Sequence, residues 1–358
     1  MRILVLWAGA SNPNLGVRAL ARGSHDLLRQ VWPDAEFHYA DFGQRPRQLP
    51  WGRVRSLVRE RATGALGMQK WLGSFDLVWD TRSGDSFSDI YGLGRLTVMS
   101  SIHEFAAQAG AKVVMAPQTI GPFRTRRGRA LARRTLSRSS LVFARDPISA
   151  DAARALGRPV DATVSDLVFG IDAPAESTPR DVIINVSGLL WNENRHVDFE
   201  AYRRTIRAVI AGLLDAGRTV TLLPHVLDSG NPDNDVPTSR EIAREFGAGV
   251  DIHVPLDLDD ARSVISGATV LIGARMHACL NALSTGVPAV AMAYSRKFDP
   301  LMRAIDWPHV VTLDGADEAA RAILEIVSDP ALAERARRSR ALATELVDSS
   351  VTLLRSLD

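Results

Sequence analysis

Residues Thr269–Met292 read TVLIGARMHACLNALSTGVPAVAM. A short apolar run, a glycine, a stretch at helical spacing and a second apolar run after Gly-Val-Pro describe a buried strand, a tight turn, a short helix and another buried strand. That unit is the one from which parallel sheets are wound. Gly273 permits a close backbone turn, and the helix after it offers N–H groups and a positive dipole end to an anion. Arg275 and His277 fall in the turn or the first helical turn, which places an anion site beside a titratable group. The competing reading pairs Arg275 with a carboxylate and lets His277 cap the helix.

The same alternation extends in both directions. Strands are expected at Ile3 to Trp7, Glu36 to Ala40, Phe75 to Trp79, Lys112 to Ala116, Leu141 to Ala144 and Thr163 to Val164. A polar stretch with two prolines, 173–181, then reads as a linker, and strands resume at Val182 to Val186, Thr219 to Leu223, Asp251 to Val254, Thr269 to Ile272, Pro288 to Met292 and Val310 to Thr312. Helical patterns separate them. The expected fold class is therefore α/β with two Rossmann-like doubly wound domains, 1–172 and 182–329, and a helix over 330–358 that crosses back to the first. Such sheets bind ligands outside the carboxyl ends of their strands, and a cleft between two of them is the expected place for chemistry.

Composition excludes several classes. With 358 residues, 46% apolar and 23% charged, the chain is long enough for two ordinary domains and is neither disordered nor a disulfide scaffold. Its 43 basic and 41 acidic residues leave a net charge of +2, so global charge does not indicate a nucleic-acid binder. Only three of the basic residues are lysines, Lys70, Lys112 and Lys297. The lone Cys279 fits a reducing compartment and, on an apolar helix, reads as a core residue. No apolar run reaches the length of a membrane span, and a cytoplasmic enzyme is the simplest expectation.

Several stretches, in order, resemble the polysaccharide pyruvyl transferase family. Gly273-Ala-Arg-Met-His-Ala278 followed by Gly286-Val-Pro288 resembles its G-x-R-x-H-A signature. Asn12-Pro-Asn-Leu-Gly16 resembles its N-terminal loop, with the usual pair of glycines reduced to Gly16. Gly84-Asp-Ser-Phe-Ser-Asp89, Ala116-Pro-Gln-Thr-Ile-Gly-Pro-Phe123, Ala144-Arg-Asp-Pro-Ile-Ser149, the turn at Asp166 and Tyr294-Ser-Arg-Lys-Phe298 resemble further elements. The resemblance implies a glycosyltransferase-B-like architecture and transfer of a pyruvyl group from phosphoenolpyruvate to a sugar of a cell-surface polysaccharide or glycolipid, giving a pyruvate ketal. Phosphoenolpyruvate is then a substrate, and no cofactor or metal is expected.

Such a donor carries a phosphate and a carboxylate, which arginine forks and backbone amides suit. His277, with an ordinary pKa of about 6.5, is the expected acid/base and Arg275 the anion clamp. Gly273, Lys297, Tyr294 and His225, all after strands, complete the expected donor side; a structural loop histidine is the competing reading of His225. Asp85, Ser86, Asp89, Gln118 and Thr119 make the expected acceptor side, with helix capping the competing duty of the carboxylates. Asp228 to Asp235 is oxygen-rich without calcium-loop spacing and reads as a flexible loop, and no His/Cys cluster has zinc spacing. The dense basic run Arg124 to Arg138 is a solvated helix face, or a peripheral contact with the inner face of the cell membrane and a lipid-linked sugar; without an aromatic platform it does not suggest nucleic acid. The rival function is a nucleotide-sugar-dependent glycosyltransferase of the same fold.

Overall fold

In the computed structural model, which describes residues 1–357 except 44, 47, 228, 229, 231, 232, 296, 297 and 314, strands and helices alternate throughout. The first half contains β1 (Arg2–Leu6), α1 (Leu15–Val31), β2 (Glu36–Ala40), α2 (Val54–Thr63), α3 (Met68–Leu72), β3 (Leu77–Asp80), α4 (Leu93–Gln108), β4 (Lys112–Gln118), α5 (Arg126–Ser137), β5 (Leu141–Ala144), α6 (Pro147–Ala155) and β6 (Ala162–Thr163). The second contains β7 (Arg180–Asn185), α7 (Gly188–Trp191), α8 (Phe199–Asp215), β8 (Val220–Leu222), α9 (Val236–Phe246), β9 (Val250–Ile252), α10 (Leu258–Ser266), β10 (Ala268–Gly273), α11 (Met276–Ser284), β11 (Ala289–Ala293), α12 (Phe298–Ala304), β12 (Val310–Thr312), α13 (Ala316–Val327) and α14 (Leu332–Arg355).

Among the described residues the strands form two six-stranded sheets, ordered β2-β1-β3-β4-β5-β6 and β12-β11-β10-β7-β8-β9. Every pairing is parallel. Parallel sheets are covered on both faces, so their central strands are apolar throughout rather than alternating. Ile3, Leu4, Val5 and Leu6 are fully buried, as are Val182 to Ile184 and Leu271 to Ile272. The strand order reverses at β1/β3 in the first sheet and at β7/β10 in the second, and these are the points where such sheets receive ligands.

The chain divides into two units: Met1–Asn12, Leu20–Gly170 and Glu345–Asp358 form one, Pro13–Ala19 and Ile171–Thr344 the other. The short segment 13–19 joins the second unit through the bridge between Asn14 and Val226 and through Leu227 N donating to Pro13 O at 2.9 Å. β7 starts at Arg180, inside the stretch expected as linker, because Arg180 N donates to Gly267 O at 2.8 Å and pairs Ala268 in register. Residues 54–72, without a clean apolar period, nevertheless form α2 and α3. The carboxylate of buried Glu60 accepts from Leu66 N at 2.8 Å and Gln69 N at 2.9 Å, and so organises the turn between them.

Candidate active site

At the reversal point of the second sheet, β10 ends at Gly273 and α11 starts after Arg275. A Cβ on Gly273 would stand 2.7 Å from Cys279 Sγ, so glycine is required there because the first turns of α11 press on the strand end. Cys279 is itself buried, and burial pushes its thiol up to about 12, which leaves it protonated and unreactive.

Arg275 ties the loops around this point together. Its N–H donates to Asn185 Oδ1 at 3.0 Å, and Asn185 Nδ2 donates to Leu223 O at 3.0 Å, which joins the ends of β7, β8 and β10. Its guanidinium pairs with buried Asp235 at 2.6 Å and with Asp233 at 2.8 Å, and donates to Asp233 O at 2.7 Å. Burial alone would lower its pKa; the two carboxylates outweigh that and raise it, so the side chain is permanently cationic. Asp235 also accepts from His225 N at 3.1 Å, Val226 N at 2.9 Å and Gly188 N at 2.9 Å. Asp235 thus organises the site, although it lies in the stretch read above as a flexible loop. The carboxylate pairing that competed with the anion-clamp reading of Arg275 is present.

The two histidines lie beside this network. His225 is buried, and its Nε2 lies 3.2 Å from Asn281 Nδ2. Asn281 Oδ1 accepts from Arg262 Nη1 at 2.8 Å, and arginine can only donate, so the amide NH2 of Asn281 must face the other way. That NH2 donates to His277 O at 2.7 Å and to His225 Nε2, which is therefore the unprotonated ring nitrogen. Burial, then the neighbouring His277 and Arg275, hold His225 well below the usual histidine range, so it is neutral at physiological pH.

His277, half-buried on the first turn of α11, packs its ring on the backbone of Gly16: a Cβ there would be 2.7 Å from His277 Nδ1 and 2.8 Å from Cγ. Leu15 N donates to His225 O at 3.0 Å, which seats the start of α1 against both histidines. The one glycine of the N-terminal loop is thus the seat of His277.

Tyr294, after β11, meets the rings of His196 (centroids 5.7 Å apart) and Phe298 (5.6 Å). It lines a pocket of about 920 Å³ with His196, Asp198, Asp299, Arg303 and Thr312. Lys297 lies outside the described residues.

The expected acceptor residues are in the first unit, after β3 and β4. Asp85 accepts from Tyr91 Oη at 2.9 Å, and Ser86 Oγ from Arg95 Nη2 at 3.1 Å. Both oxygens of Asp89 are used at the start of α5, accepting from Arg124 N (2.8 Å), Thr125 N (2.7 Å) and Thr125 Oγ1 (2.7 Å). It caps neither helix directly: α4 has no side-chain cap, α5 is capped by Thr125 Oγ1 accepting from Gly128 N, and Asp89 holds that capping residue in place. Burial would raise its carboxyl, and these donors hold it below the usual range. Thr119 Oγ1 accepts from buried Arg145 at 2.9 Å, and Arg145 pairs with Asp166 at 2.7 Å. Gln118 is fully buried, its Nε2 3.4 Å from Asp80 O. The backbone at this reversal point is left-handed at Trp7 (φ 65°), Arg82 (φ 48°) and Ser83 (φ 51°), a conformation costly for side-chain-bearing residues and concentrated at functional sites. Buried Asp80, paired with Arg82 at 2.8 Å and His103 at 2.7 Å, secures it.

Asn185, Asp235, Arg262 and Asn281 were not anticipated from sequence. One local cue exists: Asp235 directly precedes Val-Pro at the start of α9, a position where aspartate ordinarily caps a helix.

Two all-parallel sheets with reversal points, each flanked by helices, define a glycosyltransferase-B-type protein, and solved structures agree. UDP-GlcNAc 2-epimerase from Methanocaldococcus jannaschii is similar with a TM-score of 0.60 at 10% identity over 99% of both chains. Anabaena Alr3699/HepE in complex with UDP and glucose gives 0.58 at 14% over 99% of both, and the Neisseria meningitidis UDP-GlcNAc 2-epimerase bound to UDP-GlcNAc gives 0.59 at 10% over 100% and 99%. The chain belongs to the polysaccharide pyruvyl transferase family, whose model matches residues 14–296. No curated protein matches it in sequence. Among the described residues no helix is long and apolar enough to cross a membrane, and no group of three or more His, Cys, Asp or Glu could hold a metal ion.

Proposed function

We propose that the chain transfers a pyruvyl group from phosphoenolpyruvate to two hydroxyls of a sugar, forming a ketal and releasing phosphate. The observation that carries this reading is the gathering of His277, His225 and Arg275 at the start of α11, on the motif that marks the family. The reaction needs one proton added to the methylene carbon, two removed from the attacking hydroxyls and one delivered to the departing phosphate. His277 is assigned as the group that moves protons at the donor. His225, neutral and with Nε2 accepting from Asn281, presents Nδ1–H as a fixed donor and contributes no charge.

The donor's anionic groups sit at the start of α11, where helix amides and the Arg275 charge favour them. Asp235 is buried and stays in place; Asp233, about a third exposed, holds Arg275 Nη1 with a carboxylate that the donor's own carboxylate or phosphate replaces. Arg275 is then clamp and loop anchor at once. Tyr294 is proposed at the outer edge of this donor site, and Lys297 is proposed as a further cation for the donor on the strength of the family-like segment Tyr294-Ser-Arg-Lys-Phe298 it belongs to. Asp85, Ser86 and Thr119 are proposed to face the sugar, while fully buried Gln118 shapes the turn that carries Thr119. No cofactor takes part in this scheme.

The rival, transfer from a nucleotide sugar, rests on fold likeness to proteins solved with UDP or UDP-sugars. Incubation with phosphoenolpyruvate and a panel of glycan acceptors, and in parallel with nucleotide sugars, separates the two. Phosphate release with a product heavier by one pyruvate ketal is expected; turnover of nucleotide sugars alone overturns the proposal.

A further inference from the structure

We propose that the first unit carries a docking face for an anionic membrane surface, built from the start of α5 and two exposed apolar points bonded to it. Seven arginines lie between Arg124 and Arg138, and no acidic residue occurs from Pro117 to Ala144. The buried side of α5 is Gly128, Ala132, Thr135 and Leu136, so its arginines are exposed. Arg134 is drawn to Glu104, and Arg133 donates to Leu156 O at 3.2 Å, whereas Arg124, Arg126, Arg127 and Arg129 cluster around the first turn.

A solvated helix face would need nothing beyond the charge. Here the loop entering α5 is bonded on both sides to segments that expose large apolar side chains. On one side Asp89 takes Arg124 N, Thr125 N and Thr125 Oγ1, and the next two residues, Ile90 and Tyr91, are 39% and 44% exposed. Ser88 Oγ donates to Pro122 O at 2.6 Å, so the attachment is continuous. On the other side Ile120 N donates to Ser149 Oγ at 3.0 Å, and Ile148, next to that serine, is 61% exposed.

Arginines beside aliphatic and tyrosine side chains match the interfacial zone of a bilayer, where cations meet lipid phosphates and amphipathic rings sit at headgroup level. A nucleic acid would be met by the charge but not by the two isoleucines. Tyr91 Oη also donates to Asp85, so the docking face is bonded directly to the loop assigned to the acceptor, which suits a sugar presented on a lipid. The docking face itself stands on the surface geometry and does not depend on the pyruvyl reading.

The test is co-sedimentation of the full chain with vesicles of phosphatidylcholine alone and of phosphatidylcholine containing phosphatidylglycerol. Binding to the anionic vesicles only, weakening with added salt, is expected. Arg126→Gln and Arg127→Gln should each reduce the partition coefficient roughly fivefold; Ile90→Ser and Ile148→Ser should remove the binding that survives in high salt. Phosphate release on a soluble acceptor should be unchanged in the arginine variants. Equal binding to both vesicles, no binding at low salt, or displacement from anionic vesicles by single-stranded RNA overturns the proposal. Vesicle binding needs no turnover, so its failure leaves the pyruvyl reading standing, and failure of turnover leaves the docking result standing.

Discussion

Replacing Gly16 by alanine sets two effects of known size against each other. Gly16 lies in the first turn of α1 at an ordinary helical φ, where alanine ordinarily stabilises by about 0.5–1 kcal/mol. The new Cβ, however, would stand 2.7 Å from His277 Nδ1, 2.8 Å from Cγ and 2.9 Å from Cβ. Relief requires the ring, or the start of α11 with it, to retreat by roughly 0.7 Å to reach ordinary contact, a strain of the overpacking kind that costs ~1–3 kcal/mol. The strain wins, and Gly16→Ala should be destabilised by about 1 kcal/mol net. A displacement of this size at His277, the proposed acid/base, should lower kcat/KM on the order of 10²-fold. Thermal unfolding followed by circular dichroism and phosphoenolpyruvate-dependent phosphate release measure the two quantities. In a His277→Ala background the same change should become stabilising by the helix term, about 0.5–1 kcal/mol. A Gly16→Ala protein that melts higher than the parent and turns over normally would refute the seat assigned to His277.

Asn281→Ala removes the amide that keeps His225 Nε2 unprotonated; nitrogen-15 NMR of the His225 ring should show a mixed tautomer where the parent shows Nδ1–H alone, and an unchanged spectrum would disprove the relay from Arg262. Asp233→Ala frees Arg275 of its more exposed carboxylate, and KM for phosphoenolpyruvate should fall severalfold with kcat little changed; a rise in KM would mean that Asp233 helps hold the donor. Asp89→Ala should cost about 1–2 kcal/mol through the lost acceptor of Arg124 N and Thr125, which holds the cap of α5, and leave KM for the acceptor alone, whereas altered acceptor KM at parental stability would place Asp89 on the sugar. His225 and His103 have folded-state pKa values lowered mainly by burial, so below pH ~6.5 the unfolded chain takes up protons that the folded chain does not. Stability should therefore fall as pH drops from 7 toward 5.5, by up to about 1.4 kcal/mol per pH unit for each histidine; urea unfolding curves that superimpose over this interval would contradict it.

The strands were legible because a doubly covered parallel sheet writes itself as short continuous apolar runs: β2, β5 and β12 have the expected bounds, and the others shift by one or two residues at their ends. The helix start carrying Arg275 and His277 was legible for the same local reason. What fixes those two side chains was not. Arg275 is held by Asn185, 90 residues away, and Asp235, 40 residues away, and no periodicity in a sequence window encodes partners at that separation. Asp235 was hidden further by its surroundings, since a run of Asp, Asn, Ser and Gly looks like solvent-exposed loop whether or not one carboxylate turns inward. Residues 54–72 were missed because a buried glutamate, rather than an apolar stripe, shapes them. Gly273 shows the reverse case: a close backbone turn was legible at this residue, while the neighbour that demands it, Cys279 on the following helix, was not.

Neither unit is a contiguous piece of the chain, since 13–19 belongs with the second and 345–358 with the first. A chimera that exchanged the halves of two relatives at residue 172 would import a foreign loop beneath His277 and strand the end of α14 with the wrong partner. Recombination could exchange the second unit whole only by moving 13–19 and 171–344 together, so a single crossover never transfers one unit intact.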